Sequence, residues 1–207
     1  IYDLTRMEAL LGRLGSPQNQ VPAVHIAGTK GKGSTAALCD SALHAAGLST
    51  GFYSSPHLHT YRERIRRDSE PISQEGFAAL VEGLWPLHEE LKSDSVVGPL
   101  TLFEFLTGMA FQCFAQDRTD VQVIEVGLGG RLDATNVVSP EVCVITPIML
   151  DHIPSWATLW SSSRERRPVS SSTARRWSWL RKRGRPWTCS SGCAPRGRLP
   201  SFRSVKM

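Results

Sequence analysis

The chain has 207 residues with 24 basic and 19 acidic side chains, a formal charge of +5; this is enough for one domain with its own core and too long for a disulfide-stapled peptide scaffold. The positive balance hints at nucleic acid or an anionic surface, but residues 1–154 hold 11 basic and 18 acidic side chains, whereas residues 155–207 hold 13 basic and one acidic, Glu165. A body of −7 joined to a tail of +12 excludes the nucleic-acid reading for the body.

The chain opens on Ile1 directly in a helical pattern, as a fragment edge would. Residues 4–14 carry apolar side chains at helical spacing and stop at Gly15-Ser16-Pro17, which predicts a short amphipathic helix. Residues 23–27 (AVHIA) read as a buried strand running into Gly28-Thr29-Lys30-Gly31-Lys32-Gly33-Ser34-Thr35, and an Ala- and Leu-rich helix follows, ending at Gly47. Residues 50–54 form a second short strand closed by Ser55-Pro56, and residues 57–70 read as an exposed basic loop with a partial helix. Residues 73–92 are a helix with Ser73 as N-cap, which Pro86 should bend or break, and residues 101–116 a largely apolar, buried one. Residues 121–126 and 142–146 are β-branched strands. Four apolar strands separated by helices predict an α/β fold with a mainly parallel sheet. No apolar run approaches the 18 or so residues of a membrane span, and the five scattered cysteines suggest a reducing, cytoplasmic setting.

The strongest chemical signal is the glycine loop between strand and helix. Successive backbone N–H groups there cradle phosphate oxygens, a lysine adds charge at the β/γ-phosphates and a hydroxyl serves Mg²⁺. Gly28, Thr29, Gly31, Lys32, Gly33 and Ser34 are the candidate nucleotide-binding residues, with Lys32 and Ser34 in the last two roles. Gly33 intervenes between lysine and hydroxyl, unlike the usual GxxxxGK[ST]. A ligand-free glycine turn is the plain alternative. Glu125 lies inside the apolar VIEVG, where an unpaired carboxylate is costly. His152 taken alone is an ordinary histidine, and Ser55 before a proline an ordinary turn residue. Arg62, Arg64, Arg66 and Arg67 could attract an anion or form a solvated face.

HIAGTKGKGST closely resembles the loop of the folylpolyglutamate synthase and dihydrofolate synthase family of the Mur ligase superfamily, with Lys30 where asparagine is usual. The resemblance recurs in order through GFYSSPHL (51–58), YRERIR (61–66), PIS (71–73), TLFEFLT (101–107), IEVGLGGRLDATN (124–136) and LDH (150–152), covering essentially residues 1–154. It implies a P-loop, Mur-ligase-type ATPase domain that transfers the ATP γ-phosphate to a folate or dihydropteroate carboxylate, giving an acyl phosphate that L-glutamate attacks. Such chemistry rests on charge neutralisation and positioning. By resemblance Lys32, Glu125 and His152 are catalytic, and Ser34, Ser55, Glu125 and His152 are metal ligands for Mg²⁺. Thr101, Phe103, Glu104, Arg131, Leu132, Asp133 and Ala134 are substrate contacts on the same ground, although Phe103 and Glu104 read most simply as core and helix. The implied protein is a cytoplasmic monomer with ATP as cofactor and neither nucleic-acid nor membrane partner. A cell-wall Mur ligase is one alternative, which SSPHL and GLGGRLDATN oppose. A nucleotide-binding module without ligase activity is another, because the family's C-terminal domain and its modifiable lysine are not recognisable here.

Residues 1–154 are thus expected to be a partial ATP-binding domain, and residues 155–207 a frameshifted, unfolded tail. Five of six tryptophans lie in that tail, all six histidines precede position 153, and the tail shows neither strand nor helix periodicity. Permitted codons for residues 156–172, moved back one base, read LGDTLVELAREKAGII, which resembles the family segment that follows LDH.

Overall fold

The structure, a computed structural model, describes residues 3–149. His152 and the reading of residues 155–207 therefore lie outside the described residues. The elements in chain order are helix α1 (Thr5–Arg13), strand β1 (Ala23–Ala27), helix α2 (Lys32–Ala45), strands β2 (Thr50–Tyr53), β3 (Ile65–Arg67) and β4 (Glu70–Pro71), helices α3 (Gln74–Ser93) and α4 (Leu102–Gln116), and strands β5 (Val121–Glu125) and β6 (Val142–Ile145).

The six strands form one sheet in the order β4-β3-β2-β5-β1-β6. The four expected strands are mutually parallel, with Ala23 opposite Gln122, Thr50 opposite Val121 and Val24 opposite Val142. The stretch expected to be a loop with a partial helix has a 3₁₀ turn over Tyr61–Arg64 and also adds the antiparallel strands β3 and β4. Ile65 is the one fully buried residue of that pair; Arg66, Arg67 and Glu70 are the charged side chains an edge strand carries, and they hide the period-2 signal.

Alternation along the strands divides the core between two faces. Tyr53 and Ile124 pack with Met7, Leu10, Leu84, Leu106, Phe111 and Phe114 beneath α1, α3 and α4. Ile26, Phe52 and Val123 pack with Ala36, Cys39 and Leu43 of α2 on the opposite face. Each fully buried Leu, Ile, Val, Phe or Met side chain among these removes apolar area worth about 1.5–3 kcal/mol.

Helix α3 runs through Pro86 without a break. Leu80, Leu84 and Leu91 are buried on both sides of it, and that packing outweighs the one missing backbone bond. Among the described residues no helix is long and apolar enough to cross a membrane.

Candidate functional site

In an open parallel sheet the C-terminal strand ends form the ligand edge, because the connecting loops splay apart there. The loops after β1, β2 and β5 bring Lys32, Ser55 and Glu125 to this edge.

The glycine loop folds more tightly than its sequence suggests. Helix α2 already begins at Lys32, so Lys32, Gly33 and Ser34 form its first turn. Gly31 is the N-cap, at φ 81°, a left-handed conformation that L side chains rarely adopt. No side chain caps the helix, and Thr35 is the first residue whose N–H reaches back, to the Gly31 carbonyl. The amides of residues 31–34 therefore have no acceptor within the helix and carry its positive dipole end. The start of the loop differs: the Thr29 and Lys30 amides donate to the Pro147 carbonyl at 3.1 and 3.4 Å, and the Thr29 hydroxyl bonds Met149. Thr29 thus serves to tie the loop to the segment after β6.

Glu125 ends β5 on the α2 face, buried against that first turn. A Cβ on Gly33 would sit 3.4 Å from Glu125 Oε1, so a glycine lets the helix approach the carboxylate. The Ser55 amide donates to Glu125 Oε2 at 3.2 Å. Burial pushes the Glu125 pKa up, while the Ser55 amide and the Lys32 ammonium pull it back and Asp133 adds to the rise. A half-satisfied buried carboxylate beside a lysine and a helix N-terminus suits a cation that brings its own phosphate and water ligands. Magnesium, which keeps several waters and takes one or two carboxylates, fits that donor set. Among the described residues no cluster of three or more His, Cys, Asp or Glu side chains forms a self-sufficient metal site. Ser34 is exposed and Ser55 half-buried.

The expected substrate residues divide. Thr101 is the N-cap of α4; its hydroxyl accepts from the Glu104 amide, and the Glu104 carboxylate accepts from the Thr101 amide at 2.7 Å. Glu104 also pairs with Arg6 at 3.0 Å, so both residues are engaged in starting the helix and tying it to α1. Phe103 is half-buried, 6.1 Å from the Tyr53 ring. Leu128, Arg131 and Leu132 stand exposed at the mouth, whereas Asp133 and Ala134 are buried. Asp133 faces inward: its Oδ2 accepts from the Leu128 amide at 2.8 Å and its Oδ1 from the Thr135 amide at 3.0 Å. The inward side of this loop also holds His25 and Thr135, which sequence reasoning missed. His25 reads as one more residue of a buried strand, and no local signal links it to a threonine 110 positions away.

The arginine run is neither bare nor uniformly solvated. Arg62 donates to the Ile72 carbonyl, Arg64 to His57 Nδ1 and Arg66 to the Glu63 carbonyl, and Arg67 pairs with Asp117 at 3.3 Å. Glu63 accepts the Leu58, His59 and Thr60 amides at 2.8–2.9 Å, which holds its pKa down at about 2.

No protein-family model matches the chain. It is 46% identical over 156 residues to the dihydrofolate synthase/folylpolyglutamate synthase of Mycobacterium tuberculosis, covering 72% of this chain and 32% of the relative. It is similar in structure to a Mycobacterium tuberculosis folylpolyglutamate synthase complexed with ADP, with TM-score 0.70 and 46% identity over 72% of this chain and 34% of that one. An FPGS-AMPPCP-folate complex matches with TM-score 0.68 and 42% identity over 71% of this chain and 36% of that one. The chain thus spans about a third of the length of these relatives.

Proposed function

The chain belongs, through its N-terminal part, to the folylpolyglutamate synthase and dihydrofolate synthase family, and from that premise we propose that residues 28–34, Ser55 and Glu125 are the nucleotide half of an ATP-dependent ligase that joins L-glutamate to a folate or dihydropteroate. The observation that carries the reading is the first turn of α2, with its positive dipole end and Lys32, set against the buried carboxylate of Glu125. Relatives whose structures contain ADP, or AMPPCP with folate, support both substrates.

In this reading the amides of residues 31–34 receive phosphate oxygens, and Lys32 neutralises charge that builds on the transferring phosphoryl group. Ser34, Ser55, Glu125 and His152 would hold Mg²⁺, which would supply further charge neutralisation. The protein's own contribution is to align the acceptor carboxylate with the γ-phosphate, so that the acyl phosphate forms in line, and to shield it until the glutamate amine attacks. Phe103, Leu128, Arg131 and Leu132 line the approach for the aromatic acceptor, with Thr101, Glu104, Asp133 and Ala134 supporting it from behind. The whole enzyme is read as a cytoplasmic monomer.

The same proposal takes residues 1–154 as a partial ATP-binding domain and residues 155–207 as an out-of-frame translation, so this chain binds nucleotide without completing the ligase reaction. Nucleotide titration, and ATP hydrolysis measured with and without dihydropteroate, folate and glutamate, test the function. Nucleotide binding without acceptor-dependent turnover is expected; absence of nucleotide binding would overturn it. Sequencing the gene across codon 154 tests the tail, and an intact frame there refutes that part.

A further inference from the structure

The loop after β5 is tied to the strand that carries the phosphate loop by a chain of three buried side chains. His25 is 1% exposed, Thr135 fully buried and Asp133 6% exposed. His25 Nε2 lies 2.9 Å from Thr135 Oγ1, and the Thr135 hydroxyl donates to Asp133 Oδ1 at 2.6 Å. The opposite carboxylate oxygen accepts from the Leu128 amide.

The protons can be assigned. A threonine hydroxyl has one hydrogen, and the short contact to a carboxylate oxygen takes it. Thr135 must therefore accept from His25, which fixes the imidazole as the tautomer protonated at Nε2. Burial lowers the His25 pKa to about 4, so the ring is neutral at physiological pH. Each link of the chain then has its donor matched to an acceptor, in a place where an unmatched polar group would be costly. The loop backbone also approaches its neighbours closely: a Cβ on Gly127 would lie 2.5 Å from the Phe103 ring and 3.1 Å from Asp133 Oδ2.

We propose that His25, Thr135 and Asp133 are positioning residues: a hydrogen-bonded relay from β1 that fixes the loop of residues 127–134 so that Leu128, Arg131 and Leu132 face the acceptor substrate. Because the relay starts on β1, three residues before Gly28, the acceptor loop and the phosphate loop share one rigid strand. Its consequence for acceptor binding rests on the function proposed above; its mechanical part does not.

Two measurements on the 207-residue chain test it: amide hydrogen exchange across residues 127–136, and equilibrium binding of dihydropteroate and of ATP. Thr135→Val and His25→Leu break the relay, while Thr135→Ser and His25→Gln keep a hydroxyl and an N–H donor in place. The breaking variants should speed exchange across residues 127–136 at least about tenfold, a loss of roughly 1.4 kcal/mol, and weaken dihydropteroate by a similar factor while ATP affinity stays within about twofold. The conserving variants should stay near wild type in both. The double variant Thr135→Val/His25→Leu should add little to either single change. Unchanged exchange in Thr135→Val overturns the relay, as does an equal loss of ATP and dihydropteroate affinity. If Thr135→Val does not fold, acceleration in Thr135→Ser matching that in His25→Leu overturns it too. If the wild-type chain binds no dihydropteroate, the functional reading fails, and the exchange measurement alone decides the relay.

Discussion

The two loops at the sheet's ligand edge are stabilised in opposite ways. The loop after β1 reserves backbone: its Thr29 and Lys30 amides are tied to Pro147, and the next four, at the start of α2, have no acceptor within the helix and no side-chain cap. The loop after β5 uses its backbone internally, with the Leu128 and Thr135 amides held by Asp133, and presents side chains instead. Phosphate oxygens are met by arrays of N–H groups, whereas a flat, partly apolar acceptor is met by side-chain surface. Two glycine-rich loops on neighbouring strands can thus serve chemically different ligands.

The largest effect should come from the reserved loop. Lys32→Ala removes the ammonium from the first turn of α2 and should lower ATP affinity at least about a hundredfold, roughly 2.7 kcal/mol, in a calorimetric titration. Normal affinity would erase the distinction between the loops. Glu125→Gln sharpens the contrast by separating binding from turnover. In a full-length enzyme carrying this domain, turnover should fall by about a hundredfold with ATP affinity nearly unchanged. The melting temperature should rise, because burial already disfavours the charged carboxylate. Unchanged turnover would remove Glu125 from the reaction.

The braced loop can be probed through pH. His25 has a folded pKa of about 4, below the usual 6.5, so its contribution is complete above pH 6.5. As pH falls from 6.5 towards 4 the unfolded chain takes up a proton that the folded chain refuses, and stability drops by about 1.4 kcal/mol per unit of difference. The raised carboxyls of Asp133 and Glu125 act in the opposite sense, so the comparison with a variant isolates His25. The stability of wild type relative to His25→Gln should fall across that window; a constant difference in denaturant midpoints from pH 7 to 4 would show that the histidine is not buried neutral. The smallest effect is expected outside both loops. Glu63→Gln should speed exchange of the Leu58, His59 and Thr60 amides and leave the two loops unchanged.

What the sequence reveals depends on how local the signal is. The phosphate loop, the four parallel strands and the helices are written in consecutive residues, and the structure places all of them within a few positions of the pattern. The β3–β4 hairpin is not, because three arginine and glutamate side chains on an edge pair look like a solvated loop. Pro86 misleads for a related reason: tertiary packing of Leu84 and Leu91 overrides a local rule. At the site, Lys32, Gly33 and Glu125 are legible from chemistry and context. Family resemblance marks Asp133 as a substrate contact, but it faces inward, and Thr135 links it to His25, which lies 108 residues earlier in a strand that reads as pure core.

Gly31 and the first turn of α2 form the phosphate cradle in this reading, whereas Thr29 and Lys30 do not. Amide NMR of this chain titrated with Mg²⁺ and AMPPCP tests it most directly. Large shifts are expected at Gly31, Lys32, Gly33 and Ser34, with Thr29 and Lys30 little moved because their N–H groups remain on the Pro147 carbonyl. Shifts concentrated at Thr29 and Lys30, or none at Gly31–Ser34 at saturating nucleotide, would contradict it.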